Sequence, residues 1–170
     1  MNKYTALDIL DAKEKRVNFQ SDLRDKYKLP MISMRVNFPG EQKDNELSRN
    51  IASVMFKELK IKFKDSIQYE DYKLTAEGPV VTLILNISAK DVKKKSIEIE
   101  ENHLLGRCVD IDVYDEFGQG ISRTNLGYKP RKCFLCDDEA KYCVRSRKHN
   151  LNEIVDFIEK KYDAFIHNNI

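Results

Sequence analysis

The chain has 170 residues, 41% of them hydrophobic and 34% charged, so it can build a core and still keep a well-solvated surface. That balance excludes a disordered polar chain, and the lack of any apolar run near ~18 residues excludes a membrane-spanning helix. Thirty Lys and Arg against 28 Asp and Glu leave a net charge of +2, which excludes partners recruited by overall charge, nucleic acid among them.

The length suits a single domain over residues 1–170, with a core over about 1–127, a Cys/Arg-rich segment over 128–149 and a C-terminal helix over 150–167. The opening MNKYTALDILDAKEK lacks the apolar stretch of a secretory signal, so a cytoplasmic location is expected. From Thr5 to Lys28, apolar residues at helical spacing and Thr5 as N-cap predict one helix or two short ones, stopped before Pro30. Ile32, Met34, Val36 and Phe38 alternate with polar residues, the period of a half-buried strand ended by Pro39-Gly40. Leu47, Ile51, Val54, Met55 and Leu59 return to helical spacing.

Ser66 to Ala76 reads ambiguously, Gly78-Pro79 reads as a turn, and the apolar run Val80–Ile87 reads as a central strand. Ser88 can cap a helix through Val92, Ser96 and Ile99, although Ile97 and Ile99 also suit a strand. Val109, Ile111 and Val113 form the next alternation, and Asp115–Gly118 reads as a hairpin turn leading to Ile121. Arg123 to Lys148 shows no periodicity. Asn150 with Glu153 resembles a capping box, opening a helix with Leu151, Ile154, Val155, Ile158, Tyr162 and Phe165 on one face. The expected fold is α+β, a mixed or antiparallel sheet with flanking helices.

Two groups of side chains carry chemistry. In a strand, Asp110 and Asp112 project to one face while Val109, Ile111 and Val113 enter the core. Two adjacent carboxylates repel, and Mg²⁺ between them relieves the repulsion, leaving coordination positions for substrate phosphates. The alternative is an ordinary wet strand face. Cys133, Cys136, Cys143 and His149 supply three thiols and one imidazole, a full tetrahedral donor set for a structural Zn²⁺. The alternative is a set of reduced thiols packed as small apolar groups. Disulfides fit less well, because the three thiols crowd into one short segment and Cys108 stands alone.

Charge is uneven in this region. Residues 123–149 hold eight basic side chains against three acidic ones, while the rest of the chain is net acidic. Beside an acidic metal pair, arginines suit a polyphosphate bridged between cation and guanidinium groups. No Walker loop, dinucleotide fingerprint, GxSxG elbow or HExxH helix is present.

One compound pattern joins these features: Glu101-x-His103-x-Leu105-Gly106-Arg107, Asp110 to Val113, Gly118, Ser122-Arg123, Pro130-Arg131-x-Cys133-x2-Cys136, Ala140, Cys143-x-Arg145 and His149. It resembles the holo-acyl-carrier-protein synthases of citrate lyase, also called apo-citrate lyase phosphoribosyl-dephospho-CoA transferases. Weaker agreement through Arg16, Gln20, the Pro30 strand, Pro39-Gly40 and Lys43 extends the likeness nearly end to end. The resemblance implies a nucleotidyltransferase-like fold. It also implies transfer of phosphoribosyl-dephospho-CoA from 2′-(5″-triphosphoribosyl)-3′-dephospho-CoA to a serine of the citrate lyase acyl carrier (gamma) subunit, releasing diphosphate.

On that basis Asp110 and Asp112 are expected to hold Mg²⁺, either one serving as base. Arg107, Arg123, Arg131, Arg145, Arg147 and His103 are expected to contact substrate. A non-catalytic zinc-binding interaction module, or a nucleotidyltransferase with another acceptor, are the alternatives. The family's usual proline is replaced by Leu104, and its bulkier side chains by Cys108 and Val109.

Overall fold

The computed structural model describes residues 4–168. Helix α1 (Ala6–Tyr27) is one continuous helix. It opens on a reciprocal cap, in which the Thr5 hydroxyl accepts the Asp8 N–H and the Asp8 carboxylate accepts the Thr5 N–H. It ends at Lys28 in the left-handed region, two residues before Pro30. Strand β1 (Met31–Val36) and helix α2 (Glu46–Phe63) follow, the latter capped by Asn45.

The ambiguous stretch resolves as strand β2 (Ile67–Thr75), which turns back into β3 (Gly78–Leu85). The turn lies two residues earlier than expected. Thr75 pairs with Gly78, so Ala76 and Glu77 make the bend while Gly78 and Pro79 begin the strand. Gly78 takes a positive φ of 87°, the turn signal that its sequence position carries. The segment opened by Ser88 is helix α3 (Ala89–Asn102), followed by a 3₁₀ turn (Gly106–Cys108) and strand β4 (Val109–Tyr114). Helices α4 (Ala140–Ser146) and α5 (Leu151–Asn168) complete the chain. Asn150 and Glu153 form the expected reciprocal cap of α5.

The four strands form one antiparallel sheet in the order β2-β3-β1-β4. The fold is therefore α+β, a single domain with an open sheet. β3 is buried along its whole length, as its continuous apolar run predicts. β1 is more buried than its alternation suggests, because it sits between β3 and β4 with helices over both faces. One sheet face, with Met34, Leu83 and Ile111, packs on α2, α3 and Ile158 of α5 in the main core. The other face is covered by α1 alone, through Leu23 on Met31 and Ile84.

Helix α1 does not bury the apolar residues that mark it. Leu7, Leu10 and Val17 are exposed, whereas Arg16 and Gln20 are buried with Leu23. The reason lies beneath the helix, where the sheet face presents Ser33, Arg35, Thr82 and the β4 aspartates. Only polar side chains satisfy such a surface. Among the described residues no helix is long and apolar enough to cross a membrane.

Candidate active site and metal centre

β4 is an edge strand, and its burial alternates as the sequence requires: Val109, Ile111 and Val113 enter the core while Asp110, Asp112 and Tyr114 stand on the α1 face. Its free edge is closed by two side chains from α3. The Glu100 carboxylate accepts the Ile111 N–H at 3.2 Å, and the Lys93 ammonium donates to the Ile111 carbonyl at 3.0 Å. Burial holds the Lys93 ammonium below the usual lysine range. The residue between the two aspartates is thus anchored from outside the sheet, fixing the direction in which both carboxylates leave it.

Each aspartate meets an arginine. Arg35 Nη2 of β1 donates to Asp112 at 2.9 Å, and Arg131 Nη1 donates to Asp110 at 2.5 Å. Arg35 lies opposite Asp110 in the register and reaches diagonally to Asp112. Its second Nη lies 3.5 Å from Glu77, and its Nε is buried with no hydrogen-bond partner among the described residues. Glu77 is gripped by Arg16 of α1 through two bonds of 2.7 and 3.1 Å, both side chains being buried. Gln20 continues the network to the Ser33 hydroxyl at 2.8 Å. The conjunction of Arg16, Glu77, Arg35 and Asp112 explains the buried polar stripe of α1.

Beside Asp112 a depression of about 270 Å³ opens, lined also by Tyr114, Gly120, Ile121 and Ser122. Beyond the Asp115–Gly118 turn, Ile121 lines this depression and its N–H bonds back to the Val113 carbonyl at 2.8 Å. Gly118 adopts a positive φ of 82° there, with the Arg24 side chain pressed against it. Gly106 has a different constraint: a Cβ would collide with the carbonyl oxygens of Ile99 and Glu100.

The arginines from the sequence divide into two groups. Arg123 pairs with Glu100 at 2.7 Å and Glu101 at 3.2 Å, and Arg131 also bonds the Val109 carbonyl at 2.9 Å. Arg107 donates to the carbonyls of Lys132 and Cys133, which ties the Cys-rich segment back onto β4. Arg131 thus meets Asp110 and Glu100, Arg123 meets Glu100, and Arg107 lies within the electrostatic reach of Glu100. Arg145 and Arg147 stand exposed at the end of α4, away from that cluster of contacts.

His103 sits on the helical side of the sheet. Its Nδ1 accepts the Leu105 N–H at 3.0 Å, its ring packs 5.5 Å from Phe165, and burial lowers its basicity. The structure does not place its contacts with those of the aspartates. Arg35, Glu77, Glu100 and Lys93 were not legible as site residues. The alternation in β1 marks Arg35 as facing away from the core, but only the strand register reveals that it faces Asp112.

The Cys133, Cys136, Cys143 and His149 donor atoms all lie within 4.8 Å of one another. Cys136 Sγ is 3.5 Å from Cys143 Sγ and 3.4 Å from His149 Nε2, and all four cysteines of the chain are free. Zinc–sulfur bonds of ~2.3 Å in a tetrahedron place sulfurs about 3.8 Å apart, so the group fits one metal ion with little movement. A tight knuckle presents the first two thiols, closed by Cys133 N–H on the Asp138 carbonyl at 2.7 Å. The Asp138 N–H lowers the Cys136 thiol, with His149 assisting, whereas burial and the neighbouring thiols push Cys143 up to about 12.

Comparison with known proteins gives the family. A family model described as apo-citrate lyase phosphoribosyl-dephospho-CoA transferase matches residues 5–165. The chain belongs to this family. Proteins of that name from Escherichia coli O7:K1 (strain IAI39) and Shigella boydii serotype 18 are each 32% identical over 155 residues, covering 89% of this chain and 85% of theirs. A third, from Escherichia coli O157:H7 (strain EC4115), has the same identity and coverage.

Leu104, Cys108 and Val109, where the resemblance leads one to expect other residues, lie at the junction of α3 and β4. Cys108 and Val109 are fully buried, and burial pushes the Cys108 thiol up to about 11, so it packs as an inert apolar group. Leu104 is partly exposed at the end of α3.

Proposed function

We propose that this chain attaches the phosphoribosyl-dephospho-CoA group of 2′-(5″-triphosphoribosyl)-3′-dephospho-CoA to a serine of the apo citrate lyase acyl carrier subunit. The serine oxygen forms a bond to the α-phosphorus, the bond to the bridging oxygen of the diphosphate breaks, and the serine proton passes to a base. The observation that supports this reading best is the Asp110–Asp112 pair on an open strand face, flanked by Arg35 and Arg131. Membership of the family favours it over a zinc-binding module without catalysis.

Asp110 and Asp112 fit a divalent cation: both are about half exposed and project to one side, and Asp112 borders the depression beside β4. They would hold Mg²⁺, which when bound supplies charge neutralisation at the phosphoryl oxygens and leaving group. The remaining work falls to the protein's own side chains. Either carboxylate, through its oxygen not directed at the metal, can accept the serine proton. Arg35 and Arg131 sit where their forks can pass from carboxylate to phosphate oxygens, with Arg123 and Arg107 behind them. Arg145 and Arg147, exposed on α4, suit the approach of an acidic carrier protein.

Cys133, Cys136, Cys143 and His149 would hold a Zn²⁺ with no coordination position left open, a site that orders the segment carrying Arg131. The reading places the chain in the cytoplasm with its carrier. Intact-mass analysis of apo carrier incubated with this protein, the triphosphoribosyl precursor and Mg²⁺ tests the proposal. The carrier should gain the mass of phosphoribosyl-dephospho-CoA with one diphosphate released per transfer. A mass that stays unchanged, or rises equally with ordinary CoA, overturns it.

A further inference from the structure

Between α1 and the β2–β3 hairpin lies a cleft of about 370 Å³, larger than the depression beside Asp112 and not used by the transfer chemistry. We infer that it seats the adenine base of the dephospho-CoA group, an inference that rests on the function proposed above. Its volume is in the range of small-molecule sites. Its floor is Val80 and Thr82 of β3, one wall is Ala12 and Phe19 of α1, and Asp71 and Lys73 of β2 form the other.

The sheet register sets the distance to the reacting centre. Thr82 and Asp112 are both paired with Ser33, one on each side, so their backbones are about 10 Å apart on the same sheet face. In the precursor, two ribose rings separate the base from the α-phosphorus, a span of similar length. A precursor with its α-phosphorus at the aspartates therefore brings its base to the cleft. The straight path between the two is filled by the buried Arg16–Glu77 pair and by Gln20 on the Ser33 hydroxyl, so the precursor bridges them only when the Arg16 and Gln20 side chains swing aside.

The charge of the lining selects the base over the substrate's phosphates. Asp8, Asp11 and Asp71 balance Lys15, Lys73 and Arg16, and the Arg16 charge is already met by Glu77. No excess of positive charge remains to draw a diphosphate. A flat neutral heterocycle matches the apolar floor and the Phe19 ring, over which Lys73 now lies at 3.4 Å. Asp71, directly opposite Thr82 in the register, is an acceptor for the exocyclic amine of adenine.

The test is direct binding of 3′-dephospho-CoA to the full chain by isothermal titration calorimetry, without carrier or metal. Ala12→Phe fills the cleft from a partly exposed helix position, and Asp71→Asn, at the same shape, replaces an acceptor-only carboxylate with an amide that can serve either base as acceptor or donor. The unaltered chain should bind the adenine compound at least about tenfold more tightly than its hypoxanthine analogue, a difference of ~1.4 kcal/mol. Asp71→Asn should erase that preference, and Ala12→Phe should weaken dephospho-CoA by at least about tenfold. Equal affinity for both bases in the unaltered chain, or affinities unmoved by both substitutions, overturns the inference. If that happens while the carrier still gains mass, the cleft assignment alone falls. If both substitutions act as stated but the unaltered chain never modifies the carrier, the transfer reading falls and the cleft stands.

Discussion

The carboxylate pair and the thiol cluster are each built from residues close in sequence, yet they find their partners at opposite ranges. Cys133, Cys136, Cys143 and His149 answer one another within a single segment. Asp112 meets Arg35, 77 residues away, and Asp110 meets Arg131, 21 residues away. The thiol cluster is a local device that one metal ion can order. The carboxylate pair exists as a site only once the sheet has assembled. The two are joined by Arg107 and Arg131, which fasten the Cys-rich segment to the start of β4.

The sharpest way to break that contrast is at the aspartates. Asp110→Asn or Asp112→Asn keeps the shape and removes the charge, so carrier modification should fall by about 10³-fold while the melting temperature stays nearly fixed. Near-normal turnover in both variants would remove them from the reaction. Metal removal comes next. Elemental analysis should give close to one zinc per chain, and chelation or Cys136→Ser should cost about 3 kcal/mol, or 6–12 °C in melting temperature. Hydrogen exchange should then rise across residues 131–149 while β1 and β3 stay protected. A chain folded and active without metal would show that the thiols pack as ordinary small side chains.

Glu100 tests whether the two regions depend on one another. Its buried carboxylate holds Arg123 at 2.7 Å, lies 3.6 Å from Arg131 and accepts the Ile111 N–H. Glu100→Gln leaves an acceptor for the amide and removes the buried counter-charge that the two arginines share, leaving Asp110 to Arg131 and Glu101 to Arg123. A loss of about 2 kcal/mol is expected, together with a lower transfer rate as Arg131 shifts away from Asp110. Unchanged stability and rate would mean that the arginines find other partners without cost.

This difference in range also governs what the chain discloses before it folds. The aspartates and the thiol set are readable because a strand's period of two and the Cys-x2-Cys spacing are local rules, whereas Arg131 stands out only through the compound motif. The helices capped by Thr5, Ser88 and Asn150 are readable for the same reason. Arg35, Glu77 and Glu100 are not, since nothing in their neighbourhoods states which strand will lie alongside. The α1 helix shows the limit clearly. Its apolar residues announce a helix but misidentify its buried face, because the surface it covers is polar and supplied by β1, β3 and β4. His103, which the compound motif suggests as a substrate contact, has its ring at a helix end, against Phe165 and on the Leu105 N–H.

That last residue yields the smallest expected effect, and one with a definite sign. Burial holds the His103 imidazole below its ordinary value of 6.5. Between that ordinary value and the lower folded one, the unfolded chain binds more protons than the folded chain. Stability from this source is therefore fully present above about pH 6.5 and is lost as pH falls below it. His103→Asn offers an amide oxygen to the Leu105 N–H in place of Nδ1 but does not titrate. Melting temperatures of both proteins at pH 7.5 and 5.5 isolate the term, because the acidic groups elsewhere are common to both. The unaltered chain should lose about 1–2 °C more on acidification than the variant, a difference below ~1 kcal/mol. Equal losses would mean that the ring accepts its proton without leaving the contact with Phe165, and that α5 tolerates a charge at the end of α3.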